Sequence, residues 1–133
     1  MSEVISGSCH CGRTTYTAGP FLTPVSHCHC VTCRKTHAAP FASTARVSRN
    51  LFSWTSSLSN KRTYESSPGK FRHFCGNCGA HLMAEWPHED TVILRVATLD
   101  GMPQKHTSRH IWCSHDLEWL DYASVDERYP ELP

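Results

Sequence analysis

The sequence contains no run close to the about 18 apolar residues that a membrane-crossing helix needs, so no membrane partner is expected. It also lacks a charge excess. Lys and Arg number 13 against 12 Asp and Glu, a formal net charge of +1 with His neutral. A nucleic-acid partner selects a strongly basic face, and this balance supplies none. The stretch from Met1 to Ser8 has neither a basic segment nor an apolar one, so no secretion leader is expected and the compartment reads as cytoplasmic. There is no internal repeat, no low-complexity tract and no long amphipathic helical pattern. At 133 residues the chain has room for one domain, 1–133, with a core small enough to profit from staples. What the chain holds in excess is sulfur and imidazole: 8 Cys and 10 His.

In a reducing compartment cysteines are rarely paired as disulfides, which leaves metal ligation as the leading reading. The spacing agrees. The residues fall as Cys9-His10-Cys11, Cys28-His29-Cys30 with Cys33, and Cys75-Gly76-Asn77-Cys78, with Cys113 alone. In C-x-C on an extended segment, both side chains leave on one face and can reach one ion. In the 75–79 loop, Gly76 and Asn77 tolerate positive φ and let the chain curl around a metal. A closed structural zinc takes four ligands. Cys9 and Cys11 with Cys75 and Cys78 make such a site, leaving Cys28, Cys30 and Cys33 as a three-thiolate site with one open position. A competing partition joins Cys28 and Cys30 or Cys33 to Cys75 and Cys78. The triplet can also be read as a second structural site closed by a histidine. An open position is what a catalytic zinc keeps for water or substrate.

The remaining pattern is strand-like. Short β-rich runs at 14–17, 41–47, 51–54, 62–64, 71–74, 81–86, 91–97 and 110–112 are separated by turn signals. This predicts a mostly β sandwich of short strands, with one helical turn at 33–36 before Pro40 and a polar tail at 126–133 covering a surface.

With these residues placed, the chain resembles the glutathione-dependent formaldehyde-activating enzyme family, also called the GFA or CENP-V-type zinc domain. The likeness runs through Gly7-Ser8-Cys9-His10-Cys11-Gly12, Cys28-His29-Cys30 with Cys33-Arg34-Lys35, and Ala39-Pro40-Phe41. It continues through Phe74-Cys75-Gly76-Asn77-Cys78-Gly79, Leu99-Asp100-Gly101, His110-Ile111-Trp112 and Trp119. Ala38 stands where members commonly have Gly, and Ala80 where a small hydroxyl residue is common. The resemblance implies an Mss4-like, mostly β fold with two zinc ions per chain. Cys9, Cys11, Cys75 and Cys78 fall at its structural site, and Cys28, Cys30 and Cys33 at its catalytic one. The implied reaction joins formaldehyde to the glutathione thiol, giving S-hydroxymethylglutathione, and is classed as a carbon–sulfur lyase in the reverse sense.

The chemistry of an open three-thiolate zinc is thiol activation: a small-molecule thiol takes the fourth position, loses its proton near neutral pH and attacks a small aldehyde. Arg34 and Lys35 are candidates for offsetting the charge or meeting a substrate carboxylate. His27, His29 and His37 are candidate proton donors. Each also has a plainer reading, as surface charge or as spacers beside ligands. Trp54, Trp86, Trp112 and Trp119 read as packing or as a ligand wall, and Cys113 as a small buried hydrophobe. Two other functions fit the same residues: a thiol carrier without turnover, and a zinc-stabilised interaction module. The sequence leaves the oligomeric state open.

Overall fold

A computed structural model describes residues 3–101, 106–120 and 129–131. The β-rich runs assemble into two sheets. β1 (Ile5–Ser8), β2 (Thr15–Ala18) and β5 (Ser53–Trp54) form the smaller, in that order. The larger contains β3 (Val25–Cys28), β4 (Ala42–Ser48), β6 (Lys61–Ser67), β7 (Lys70–Cys75), β8 (His81–Glu85), β9 (Thr91–Arg95) and β10 (Ser108–Ile111). Its order is β10-β3-β4-β9-β8-β7-β6, antiparallel except for the parallel pair β10 and β3. One short helix, α1 (Val31–His37), follows β3.

The central strands β8 and β9 are buried almost throughout, as strands covered on both faces must be. Their two faces carry different chemistry. Ala45 pairs with Leu94 and Leu94 with Met83; Leu94 and Met83, with Val47 and Val92, share one core cluster with Tyr16 and Ala18 of the small sheet. Arg46 pairs with Ile93, Ile93 with Ala84 and Ala84 with Arg72, so the opposite face carries guanidinium groups. A parallel row on that face reads Arg109, Ser26, Thr44, Arg95 across β10, β3, β4 and β9. The outer strand β6 is mostly exposed and carries Lys61, Arg62 and Glu65, charges that discourage edge pairing.

The sequence reading located eight of these ten strands and the mostly β class, with differences. Residues 49–51 form a 3₁₀ turn, so the expected 51–54 strand shrinks to Ser53–Trp54. The 91–97 strand ends at Arg95, where 96–98 turns as 3₁₀. Trp112 leaves the last strand at φ 60°. Strands β1 and β3 were not expected, because glycine, serine, histidine and cysteine hide their alternation. The helical turn expected at 33–36 extends to Val31–His37. Most of the 126–133 tail lies outside the described residues.

Helix α1 ends on Ala38 at φ 50° and ψ 44°, the left-handed region that a Cβ disfavours. Ala38→Gly is expected to stabilise the fold by about 1 kcal/mol, read as a higher denaturant midpoint at unchanged slope.

Candidate metal centres and the adjoining cavities

The sulfurs of Cys9, Cys11, Cys75 and Cys78 all lie within 4.8 Å of one another. Cys9 Sγ is 3.6 Å from Cys11 Sγ, and Cys11 Sγ is 3.8 Å from Cys75 Sγ. A tetrahedron with Zn–S bonds of about 2.3 Å has S···S edges of about 3.8 Å, whereas a disulfide closes to about 2.05 Å. All eight cysteines are free of disulfides. The donor set and spacing therefore fit a metal ion, consistent with zinc. The group is part of the main core: Cys9 and Cys75 are buried with Tyr16, Leu82 and Leu94, and Cys78 packs against them.

Two tight turns build this group, rather than the extended segment expected for Cys9 and Cys11. Gly12 N–H donates to Cys9 O at 3.1 Å and Thr14 N–H to Cys9 Sγ at 3.4 Å. On the other side Gly79 N–H donates to Cys75 O at 2.7 Å. The positive φ falls on Gly12 and Gly79, both at 80°, and not on Gly76 or Asn77. Gly76 is needed for a different reason: a Cβ there would stand 2.9 Å from the Asn60 carbonyl. Burial works against ionisation of Cys75, but N–H groups of Cys78 and Asn77 outweigh it and hold the thiol down to about 6. The Asn77 side chain and the Arg13 N–H lower Cys11, while burial raises Cys9.

Cys28, Cys30 and Cys33 form the second group, their sulfurs also within 4.8 Å. Cys28 ends β3, Cys30 caps α1 and Cys33 lies in its first turn, with Cys33 N–H donating to Cys30 Sγ at 3.3 Å. Cys28 and Cys33 are buried in a separate small cluster with Ala42, flanked by Ile111. The Cys28 thiol donates to Cys33; that bond and the charges of Arg95 and Arg72 outweigh burial and hold Cys33 down to about 4, while Cys28 is raised in return. Arg72, 1% exposed, presents both guanidinium nitrogens to Cys33 Sγ at 3.8 and 3.9 Å. Two cavities adjoin this group. One, of about 230 Å³, includes Cys28, Cys33, Lys70, Arg95 and Arg109 in its wall. The other is lined by Cys30, Lys70, Arg72 and His115 among others, and Trp86 and Trp112 border both.

The remaining predicted residues are dispersed. Neither Arg34 nor Lys35 lines these two cavities; both border a different one with Leu117 and Trp119. His27 neighbours Cys28 on a strand and so points to the opposite face, where its Nδ1 meets Ser43 Oγ at 2.8 Å. His29 is fully buried, its Nδ1 2.7 Å from Asp116 Oδ1 and its Nε2 2.8 Å from His110 Nδ1. His37 lies beside His81 with the rings tilted by 53°; burial, then the charges around it, lower it to about 3, so it is neutral at neutral pH. Cys113 is exposed rather than buried, because the left-handed Trp112 turns the chain outward into the 113–115 turn. With His29 and Asp116 it makes a third close group that the sequence reading missed. Trp54 packs in the core on Phe52 and Tyr16. The sequence reading also missed Arg72 and Arg95; the signal was an arginine inside each of two apolar strand runs, Phe71 to Phe74 and Val92 to Arg95.

Two sheets around paired cysteine clusters define a mostly β class of protein able to hold metal. Among solved structures, the chain is similar to a Rhodobacter sphaeroides protein determined as a structural-genomics target, at 19% identity and a TM-score of 0.63. That likeness covers 79% of this chain and 100% of the other, and it is one of fold. The model of the family described as glutathione-dependent formaldehyde-activating enzyme matches residues 4–115, and the chain belongs to this family. A search of curated proteins gives no match. No helix among the described residues is long and apolar enough to cross a membrane.

Proposed function

We propose that the chain, acting as one domain, is a zinc-dependent enzyme of thiol–carbonyl adducts, with glutathione and formaldehyde as the substrates its family suggests. Cys9, Cys11, Cys75 and Cys78 would hold a structural ion; Cys28, Cys30 and Cys33 would hold a second. Zinc at the three-cysteine group would supply an open position for a thiol and a lowered thiol pKa.

The observation that carries this reading is the triplet of sulfurs opening on cavities whose walls are cationic. Arg72 donates toward Cys33 Sγ and steadies its negative charge. Addition of a thiol to an aldehyde forms one C–S bond and opens the C=O π bond, and the thiol proton ends on oxygen. Lys70 borders both cavities and is the group placed to deliver that proton. Burial, then the charges of Arg72 and Arg95, hold its ammonium below the usual lysine range, which makes it a better donor. His27, His29 and His37 border neither cavity and are not assigned the step.

The test is the rate of S-hydroxymethylglutathione formation, followed by NMR exchange, with zinc-loaded protein against buffer. Acceleration at catalytic protein concentration is expected. Glutathione binding with an unchanged rate would replace the enzyme by a carrier.

A further inference from the structure

The wall of the 230 Å³ cavity holds more positive charge than a three-thiolate metal site needs. Three thiolates on a divalent ion leave one negative charge. The buried Arg95 and the half-buried Lys70 line the cavity, and the buried Arg72, in the wall of the neighbouring one, turns its guanidinium toward Cys33 Sγ, so three positive charges meet that one negative charge. Among the described residues no acidic one borders the cavity. Arg95 is the sharpest case. It is 4% exposed, it borders the cavity, and among the described residues its Nε and Nη2 make no hydrogen bond. Buried guanidinium donors are ordinarily satisfied, because leaving a charged donor dry and unpaired is costly. Across the row Arg109, Ser26, Thr44, Arg95 the two hydroxyls are already committed: Arg109 Nε donates to Ser26 Oγ at 2.9 Å, and Thr44 Oγ1 to the Ser26 carbonyl at 3.2 Å. The free donors are those of Arg95, in a cavity that also touches Cys28 and Cys33.

We propose that this cavity binds a carboxylate directly beside the three-cysteine group, and that the carboxylate belongs to the carbonyl substrate, making that substrate a short 2-oxo acid. This deepens the adduct reading and rests on it. The carboxylate of a 2-oxo acid is bonded to the electrophilic carbon itself, so seating it on Arg95 sets the carbonyl beside the sulfurs. The larger thiol then occupies the second cavity, on the Cys30 side. The reaction balances without a redox partner: RS–H adds across the C=O of the oxo acid, the C–S bond forms, the π bond opens and the proton passes to oxygen. The product is a hemithioacetal that keeps its carboxylate.

The probe is oxamate, an unreactive mimic of a 2-oxo acid, titrated calorimetrically into zinc-loaded protein without thiol. Saturable binding is expected, on the order of 1 mM or tighter, with none for the neutral acetamide. Arg95→Met and Arg109→Met are each expected to weaken it about tenfold or more. Arg109 is exposed, so its variant decides the matter if Arg95→Met does not fold. Absence of oxamate binding, or binding undiminished in the folded variants, overturns the proposal. So does mercaptoacetate binding that depends on Arg109 while oxamate does not bind, since the carboxylate would then belong to the thiol. No turnover is measured, so the oxamate result can fail while formaldehyde adduct formation stands, and the reverse.

Discussion

Cys78→Ser is expected to unfold the domain. The far-UV dichroism of the two sheets should be lost at room temperature, along with the two ions proposed above. The argument begins with where the four sulfurs sit. Cys9 and Cys75 are inside the main core with Tyr16, Leu82 and Leu94, and the group joins the loop after β1 to the loop after β7. A structural zinc contributes on the order of 10–16 kcal/mol in small zinc domains, against a total stability of about 5–15 kcal/mol for a folded domain. Losing one thiolate forfeits much of that contribution. It also leaves the buried thiols of Cys9 and Cys75 in the core with less to neutralise them. A folded Cys78→Ser protein of wild-type stability would contradict the structural assignment of this group.

Cys30→Ser should behave in the opposite way. The sheets and their melting transition should persist, one metal per chain should be lost, and adduct formation should fall to the rate in buffer. Cys30 is only partly buried and belongs to the small cluster beside Ala42, not to the main core. Its structural task is to cap α1, accepting the Cys33 N–H at 3.3 Å. Serine is among the preferred residues at that position, so the helix start survives the exchange. What is lost is the third soft ligand. Metal content by elemental analysis, read beside dichroism and kinetics, separates the two groups. Equal damage from Cys30→Ser and Cys78→Ser would show that they do not divide the labour.

The local cysteine units were legible in the sequence because ligand spacing is a local property, whereas spacing left two partitions of those units open and the fold brings Cys9 and Cys11 to Cys75 and Cys78. Cys9 with Cys11, Cys75 with Cys78, and the 28–33 triplet are each fixed by a turn or a helix start, and the distances between sulfurs follow. The surroundings of the triplet were less legible because they depend on which way a strand faces. Counting residues from Cys28 made His27 a neighbour, yet on β3 adjacent side chains separate to opposite faces. Arg34 and Lys35 were likewise near in number and lie beside another cavity. Arg72 and Arg95 are far in number, on β7 and β9, and arrive at the sulfurs only through the sheet order. Cys113 looked like a small core residue until the left-handed Trp112 turned it outward.

The division of the larger sheet into an apolar and an arginine-bearing side constrains how the chain can change length. Inserting or deleting one residue inside β3 or β4 would exchange Cys28 with His27, or Thr44 with Ala45, turning the molecule inside out at that strand. The turn at Pro68 and Gly69, with Pro68 exposed between β6 and β7, has no such parity to keep. Drift in loop size among descendants of this gene can therefore accumulate at the hairpin tips, while the spacing from Val25 through Cys33 stays rigidly counted.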